Sequence, residues 1–360
     1  MSGFTIEVTT TDACNFDCEY CFEREFEPKL SILDKNYELL TLRMNELMNS
    51  DWLKSIADTI QITFWGGEPS LNLQMIKNIV RDFKNDERVS FFIYTNGSRI
   101  KELLPILLSV KPRFRVQVSY DGMPIHDMRR KTRAGSVTSE RIKESLHLLE
   151  NNGIPFGLKS TVMHKDFKYV PKAWDDIYEL NKQFHNKLKY ALTVDYHNLK
   201  VDEYFNEIED ALMEVAGRER KYFKDNGEFL SNIFSASKRI CQTDRMITID
   251  TKGKVYFCHG CIYSESSEGL HFTSIFEDGF PKAVEDNFNM FVEKKGIPVE
   301  ECIECIALSC LRCNVKKFEN SNKVKLVDRW YDYPCQKELC SYYKLIGKIG
   351  RALIDIIKED

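Results

Sequence analysis

The placement of twelve cysteines narrows the folds open to this chain more than any other feature. Three fall at positions 14, 18 and 21, none follow for over two hundred residues, and nine lie between 241 and 340. Disulfides form and persist in an oxidising compartment. The opening residues, MSGFTIEVTTTD, carry neither the basic start nor the apolar run of a secretion signal. Cysteines serving as small core hydrophobes would be scattered, not clustered. Clustered thiols in a reducing compartment indicate metal ligation. No apolar run approaches the ~20 residues needed to span a bilayer. The net charge of -4 supplies no polybasic stripe for nucleic acid or a membrane surface. A cytoplasmic metalloprotein with neither nucleic-acid nor membrane partners is expected.

The 360 residues suffice for one large domain and a smaller one. Up to about residue 195, short apolar strands alternate with amphipathic helices. Strands are predicted over 4–9, 60–64, 89–94, 114–120, 156–163 and 188–194. Helices are predicted over 35–49 behind a capping Asp34, and over 71–84, 99–109, 138–151 and 170–182. Six such units imply a parallel sheet covered by helices. Six strands are too few to close an eight-stranded barrel, so the fold class is α/β, an open partial (β/α)6 TIM-like barrel. Its active site should lie at the C-terminal strand ends. A helical bridge is expected over 201–235. Residues 236–345 hold nine cysteines and only short strand-like pieces, at 246–250 and 255–257. That segment has too little apolar sequence for its own core, so metal ligation should fold it. The expected organisation is a barrel over 1–200, the bridge, a cysteine-rich domain over 236–345, and the end of a terminal helix over 346–360.

The first strand runs into Cys14-Asn-Phe-Asp-Cys18-Glu-Tyr-Cys21. Three thiolates in a tight loop hold three irons of a four-iron cluster and leave the fourth open, whereas structural zinc wants four closed ligands. The second strand ends in Gly66-Gly67-Glu68-Pro69, where glycines let a ligand approach the backbone. The third closes on Tyr94-Thr95-Asn96-Gly97 and the fourth on Ser119-Tyr120-Asp121-Gly122. With its CxxxCxxC loop directly after the first strand, the chain resembles the radical S-adenosylmethionine (SAM) superfamily. That resemblance implies a 4Fe–4S cluster on Cys14, Cys18 and Cys21 whose open iron chelates SAM and cleaves it to a 5′-deoxyadenosyl radical. It also implies cofactor contacts from Tyr20 beside the adenine, from Gly66, Gly67 and Glu68 at the ammonium, from Asn96, and from Ser119, Asp121 and Arg130 at the ribose and carboxylate. Arg129 is the alternative to Arg130.

Downstream, Cys241 precedes a Gly253–x4–Cys258 step and Cys261, followed by Cys302, Cys305, Cys310, Cys313, Cys335 and Cys340. This field resembles the SPASM domain, which carries two auxiliary clusters. Its CxxCxxxxCxxC run is one residue shorter than the common form in each of its last two gaps. By that resemblance one cluster uses Cys241, Cys258 and Cys313, with Cys261 or an open iron. The other uses Cys302, Cys305 and Cys310, with Cys335 or Cys340. Paired zinc sites are the bland alternative. Three 4Fe–4S clusters and SAM are therefore the expected cofactors, fed by an external reductant of flavodoxin or ferredoxin type.

Enzymes of the resembled architecture modify peptides or proteins. The overall length resembles anaerobic sulfatase maturases, but those carry Asp after the GxxxxC cysteine, where this chain has His259. Such a Cys-His step resembles thioether-forming peptide maturases, and His259 is the candidate for proton transfer. No room precedes the first strand for a leader-binding domain of ~80–90 residues, so a separate protein or the barrel would read any leader. The expectation is a radical SAM oxidoreductase that crosslinks a ribosomally made peptide through a thioether or carbon–carbon bond. Formylglycine formation, peptide epimerisation and a non-enzymatic electron-transfer role are the alternatives.

Overall fold

The computed structural model describes residues 3–25, 31–185, 188–195, 198–234, 245–262, 271–294 and 337–359. Strand β1 spans Gly3–Thr11, followed by helices α1 (Tyr37–Asn49) and α2 (Asp51–Ile56) and strand β2 (Thr59–Gly66). Then come α3 (Leu73–Phe83), β3 (Val89–Thr95), α4 (Ile100–Leu108), β4 (Phe114–Ser119), α5 (Ile125–Arg129), α6 (Ser139–Asn151), β5 (Phe156–Val162), α7 (Val170–Gln183) and β6 (Lys189–Val194). Beyond them lie α8 (Phe205–Asn226), β7 (Met246–Ile249), β8 (Lys254–Tyr256), β9 (Thr273–Ser274), α9 (Phe280–Lys294) and α10 (Lys337–Glu359).

Strands β1 to β6 pair in chain order, all parallel. Their period-2 pattern explains the layering. Ile6, Val8, Ile62, Phe64, Phe91, Ile93, Val116, Val118 and Leu158 are buried beneath the helices. The alternate positions are mostly polar, among them Glu7, Thr63, Gln117, Ser119, Lys159, Thr161 and Thr193, and they line the concave side. An α/β sheet buried on both faces would read as continuous apolar runs. This alternation leaves one face for a ligand.

The partial barrel stays open because both outer strands have other partners. The free edge of β1 pairs in parallel with β7, and β8 and β9 follow antiparallel. At the far side Tyr190 of β6 bridges to Ser231. The sheet thus continues without interruption from the strand–helix units into the C-terminal segment. The predicted Asp34 cap is corrected: Asn36 precedes α1 without a side-chain cap, while Asp34 accepts from Asn72 Nδ2 at 2.9 Å. Its carboxylate ties that loop to the N-terminus of α3. No helix among the described residues is long and apolar enough to cross a membrane.

Candidate active site

The cysteine loop is held at the strand ends by backbone contacts. Gly67 N donates to Thr11 O at 3.0 Å and Glu68 N to Ala13 O at 2.8 Å. A Cβ on Gly66, whose φ is +132°, would lie 2.1 Å from Thr11 O, and one on Gly67 would lie 2.5 Å from Ala13 O. What approaches this glycine pair so closely is the cysteine loop's own backbone, a reason the sequence did not reveal. Across the loop, Asp17 N donates to Lys131 O at 2.8 Å and Glu19 N to Arg129 O at 3.1 Å. Asn96 Nδ2 donates to Asn15 Oδ1 at 2.9 Å, and Asn15 Nδ2 to Ser98 Oγ at 2.9 Å.

Cys14, Cys18 and Cys21 line one cavity of about 220 Å³ at the C-terminal strand ends. Tyr20, Gly66, Gly67, Glu68, Asn96, Ser119 and Arg130 line it with them. Burial pushes the thiols of Cys14 and Cys21 up to about 12, and mutual repulsion adds to it. Burial likewise raises Cys18, against the pull of Arg130. With Cys18 buried and Cys14 and Cys21 half-buried, three thiols that resist ionisation together become thiolates readily only when a cation joins them. No three ligating side chains among the described residues converge on a single metal ion. Cysteines spread around one cavity suit a larger cluster.

Glu68 is fully buried and its carboxylate is committed to the protein. Ser70 N at 3.0 Å, Ser70 Oγ at 2.5 Å and Thr95 Oγ1 at 2.7 Å donate to Oε1, and Asn96 N at 2.6 Å donates to Oε2. It clamps β2 to the end of β3, and burial raises its pKa against those hydrogen bonds. Asp121 is also buried, behind the cavity wall. It accepts from Tyr20 Oη at 2.6 Å, Arg130 Nε at 2.9 Å and Thr161 N at 2.9 Å. Arg130 therefore reaches the cavity from an anchored position, its Cζ 5.1 Å from the Tyr20 ring centroid and Nη1 3.9 Å from Cys18 Sγ. Arg129 turns the other way and pairs with Asp166 at 2.6 Å.

His259 lies outside the cavity lining but stacks on Trp65, which is part of it, with ring centroids 4.0 Å apart and planes 16° apart. Its Nδ1 sits 3.0 Å from Oε1 of the buried Glu7, which also accepts from Thr248 Oγ1 at 2.9 Å. Nearby, the sulfurs of Cys258 and Cys261 are 3.8 Å apart. Hydrogen bonding to Cys261 and burial raise the Cys258 thiol. Cys340 lies in α10, while Cys241, Cys302, Cys305, Cys310, Cys313 and Cys335 lie outside the described residues. Sequence reasoning missed Glu7, Trp65 and Lys159. The signal available was their polar or aromatic character at alternate strand positions.

Residues 8–169 match the family model of the radical SAM superfamily. Among curated relatives, protein MJ0907 of Methanocaldococcus jannaschii is 29% identical over 44% of this chain and 53% of its own length, so the match spans about half of that relative. The radical SAM cyclopropyl synthase TigE of Paramaledivibacter caminithermalis is 23% identical over 95% of this chain and 72% of its own. Among solved structures, native anSMEcpe with bound AdoMet and the Cp18Cys peptide superposes with a TM-score of 0.72, at 18% identity and 99% coverage of both chains. Streptococcus suis SuiB bound to the precursor peptide SuiA gives 0.60, at 12% identity, over 92% of this chain and 76% of SuiB. At such identities these two likenesses describe the fold.

Proposed function

We propose, from the match of residues 8–169 to the radical SAM family model, that the chain is a peptide maturase that oxidatively crosslinks a ribosomally synthesised peptide. The observation that carries the reading is the meeting of Cys14, Cys18 and Cys21 with Gly66, Gly67, Ser119 and Arg130 around one cavity. An electron carrier needs no such pocket. The peptide-bound structures of anSMEcpe and SuiB support a peptide substrate, and the name of TigE supports carbon–carbon bond formation.

In this reading the three thiols would hold a 4Fe–4S cluster and the Gly66–Gly67 turn, Ser119 and Arg130 would hold SAM. When bound, the pair supplies a hydrogen-abstracting adenosyl radical. The chain contributes enclosure and proton handling. Trp65, Tyr94, Thr161 and Thr193 line the cavity. In this reading His259 gives its Nδ1–H to Glu7, 3.0 Å away, and its Nε2 is the proton acceptor for the substrate. Bond formation then removes one hydrogen atom, one proton and one electron, and we place the one-electron acceptor in the C-terminal cysteine field.

The test uses anaerobic, reduced protein with SAM and the peptide encoded beside it. Expected products are 5′-deoxyadenosine, methionine and a peptide lighter by about two daltons, with fragmentation locating the new bond. The triple variant Cys14→Ala, Cys18→Ala, Cys21→Ala should form none of them, and full cleavage by that variant would end this reading. His259→Ala should still cleave SAM while crosslinked product falls by about 100-fold or more. A two-dalton loss confined to one Ser or Cys in a sulfatase-like sequence supports formylglycine formation instead.

A further inference from the structure

The cysteine loop has two sides. Cys14, Phe16, Cys18 and Tyr20 line the cavity, while the alternate residues Asn15, Asp17 and Glu19 do not. Against that second side lies a hairpin, residues 131–137 between α5 and α6. Thr132 N closes it by donating to Ser136 O at 3.0 Å, and Gly135 N donates to Thr132 O at 2.8 Å. Asp17 N bonds the loop to Lys131 O at 2.8 Å, and Arg133 N reaches Asn15 O at 3.4 Å. Arg133 Nε donates to Cys14 O at 2.7 Å. The carbonyl of a candidate cluster ligand is thus bonded directly to a solvent-exposed side chain.

Residues 133–137 are all exposed, Val137 to 63%. Lys131 and Arg133 are exposed cations with no ion pair among the described residues. Beside them Arg129 and Lys165 share Glu19, at 2.5 and 2.6 Å, and Asp17 offsets one charge. On a chain of net charge -4, this face keeps a positive excess around an exposed apolar side chain. Cleaving SAM to the adenosyl radical consumes one electron, which need only come near the cluster, whereas the substrate must enter the cavity. We propose that the 131–137 hairpin is the docking face for an acidic one-electron carrier protein. The carrier is oxidised by one electron as the cluster on Cys14, Cys18 and Cys21 is reduced by one. A small, charge-steered contact suits such a transient encounter. The inference rests on the radical-enzyme reading of the cavity.

The test follows reduction of the cluster-loaded protein by stopped flow. Reduced flavodoxin is the acidic probe, and dithionite is a small reductant that needs no docking face. The bleaching that the triple alanine variant at 14, 18 and 21 lacks reports the first cluster. Lys131→Glu combined with Val137→Ser should keep its iron and its rate with dithionite. Its rate with flavodoxin should fall by about tenfold at low salt, and the salt dependence of that rate should shrink. An unchanged rate with flavodoxin overturns the proposal. A rate that falls equally with both reductants also overturns it, because the hairpin then only braces the loop. If wild type given dithionite and SAM nevertheless forms 5′-deoxyadenosine, the radical-enzyme reading stands without it.

Discussion

Single residues here act through what their neighbours leave no room for. Gly67→Ala would drive a methyl group to 2.5 Å from the Ala13 carbonyl, a backbone atom that cannot step aside. The cysteine loop must then shift, at a cost of roughly 1–3 kcal/mol. The variant should lose about four irons and its SAM cleavage, read by iron analysis and 5′-deoxyadenosine release. His126 makes a different prediction. It is buried, its Nδ1 accepts from Asp121 N at 3.3 Å, and its Nε2 meets Thr138 Oγ1 at 3.0 Å, while Thr138 donates onward to Arg130 O. That chain requires the neutral ring, and burial lowers its pKa from 6.5 to about 4. The unfolded chain takes up the proton first on acidification. The stability is therefore present above about pH 6.5 and lost as pH falls towards 4, by about 3 kcal/mol in all. Urea midpoints across that range should fall more steeply for wild type than for His126→Gln. Equal slopes would show that this ring does not govern the acid limb.

At the scale of elements, the open edge of the sheet depends on one carboxylate. Glu219 of α8 accepts from Trp174 Nε1 of α7 at 2.8 Å and from the backbone N–H groups of Leu230 and Ser231, both at 2.9 Å. Ser231 is the residue that bridges to Tyr190 and covers the edge of β6. Removing the acceptor strands three buried donors, each costing about 1–3 kcal/mol. Glu219→Ala should therefore destabilise the protein by about 3 kcal/mol or more in urea titration. It should also speed amide exchange at 230–232 ahead of the central strands. Uniform exchange across the sheet would mean that the edge is held by something other than Glu219. Opposite this edge, β7 occupies β1 and brings Thr248 and His259 to Glu7. The C-terminal segment thereby backs the cavity from behind, through His259 stacked on the lining residue Trp65.

For the whole molecule the decisive quantity is metal. The expectation of three four-iron clusters gives about twelve irons per chain, and about eight in the triple variant at 14, 18 and 21. Iron analysis of the reconstituted, brown protein checks both values. A wild type holding four irons, or mainly zinc, would show that the cysteines from 241 to 340 serve otherwise. The cavity at the strand ends accords with the general placement of sites on parallel α/β sheets, so cluster loss at 14, 18 and 21 should leave the helix-covered face of β1 to β6 folded.

Six strands and five helices of the first half were legible in the sequence because their signals are local. Periods of 2 and 3.6 survive whatever the chain later packs against, and the spacing of Cys14, Cys18 and Cys21 records a loop that closes within itself. Helix boundaries followed within a residue or two, and Asp34 failed as a cap because a distant partner, Asn72, claimed its carboxylate. Long-range pairing lay beyond any such signal. Glu7 and His259 are 252 positions apart, and neither residue type declares the other. That Gly66 and Gly67 yield to the cysteine loop, that Asp121 stands behind Arg130 and outside the cavity, and that Lys159 lines it follow from how neighbouring strands meet in the sheet. Patterning along the chain determines which faces are apolar. Only the folded sheet decides which polar residues meet across the other face, because that depends on strand order and register between segments hundreds of residues apart.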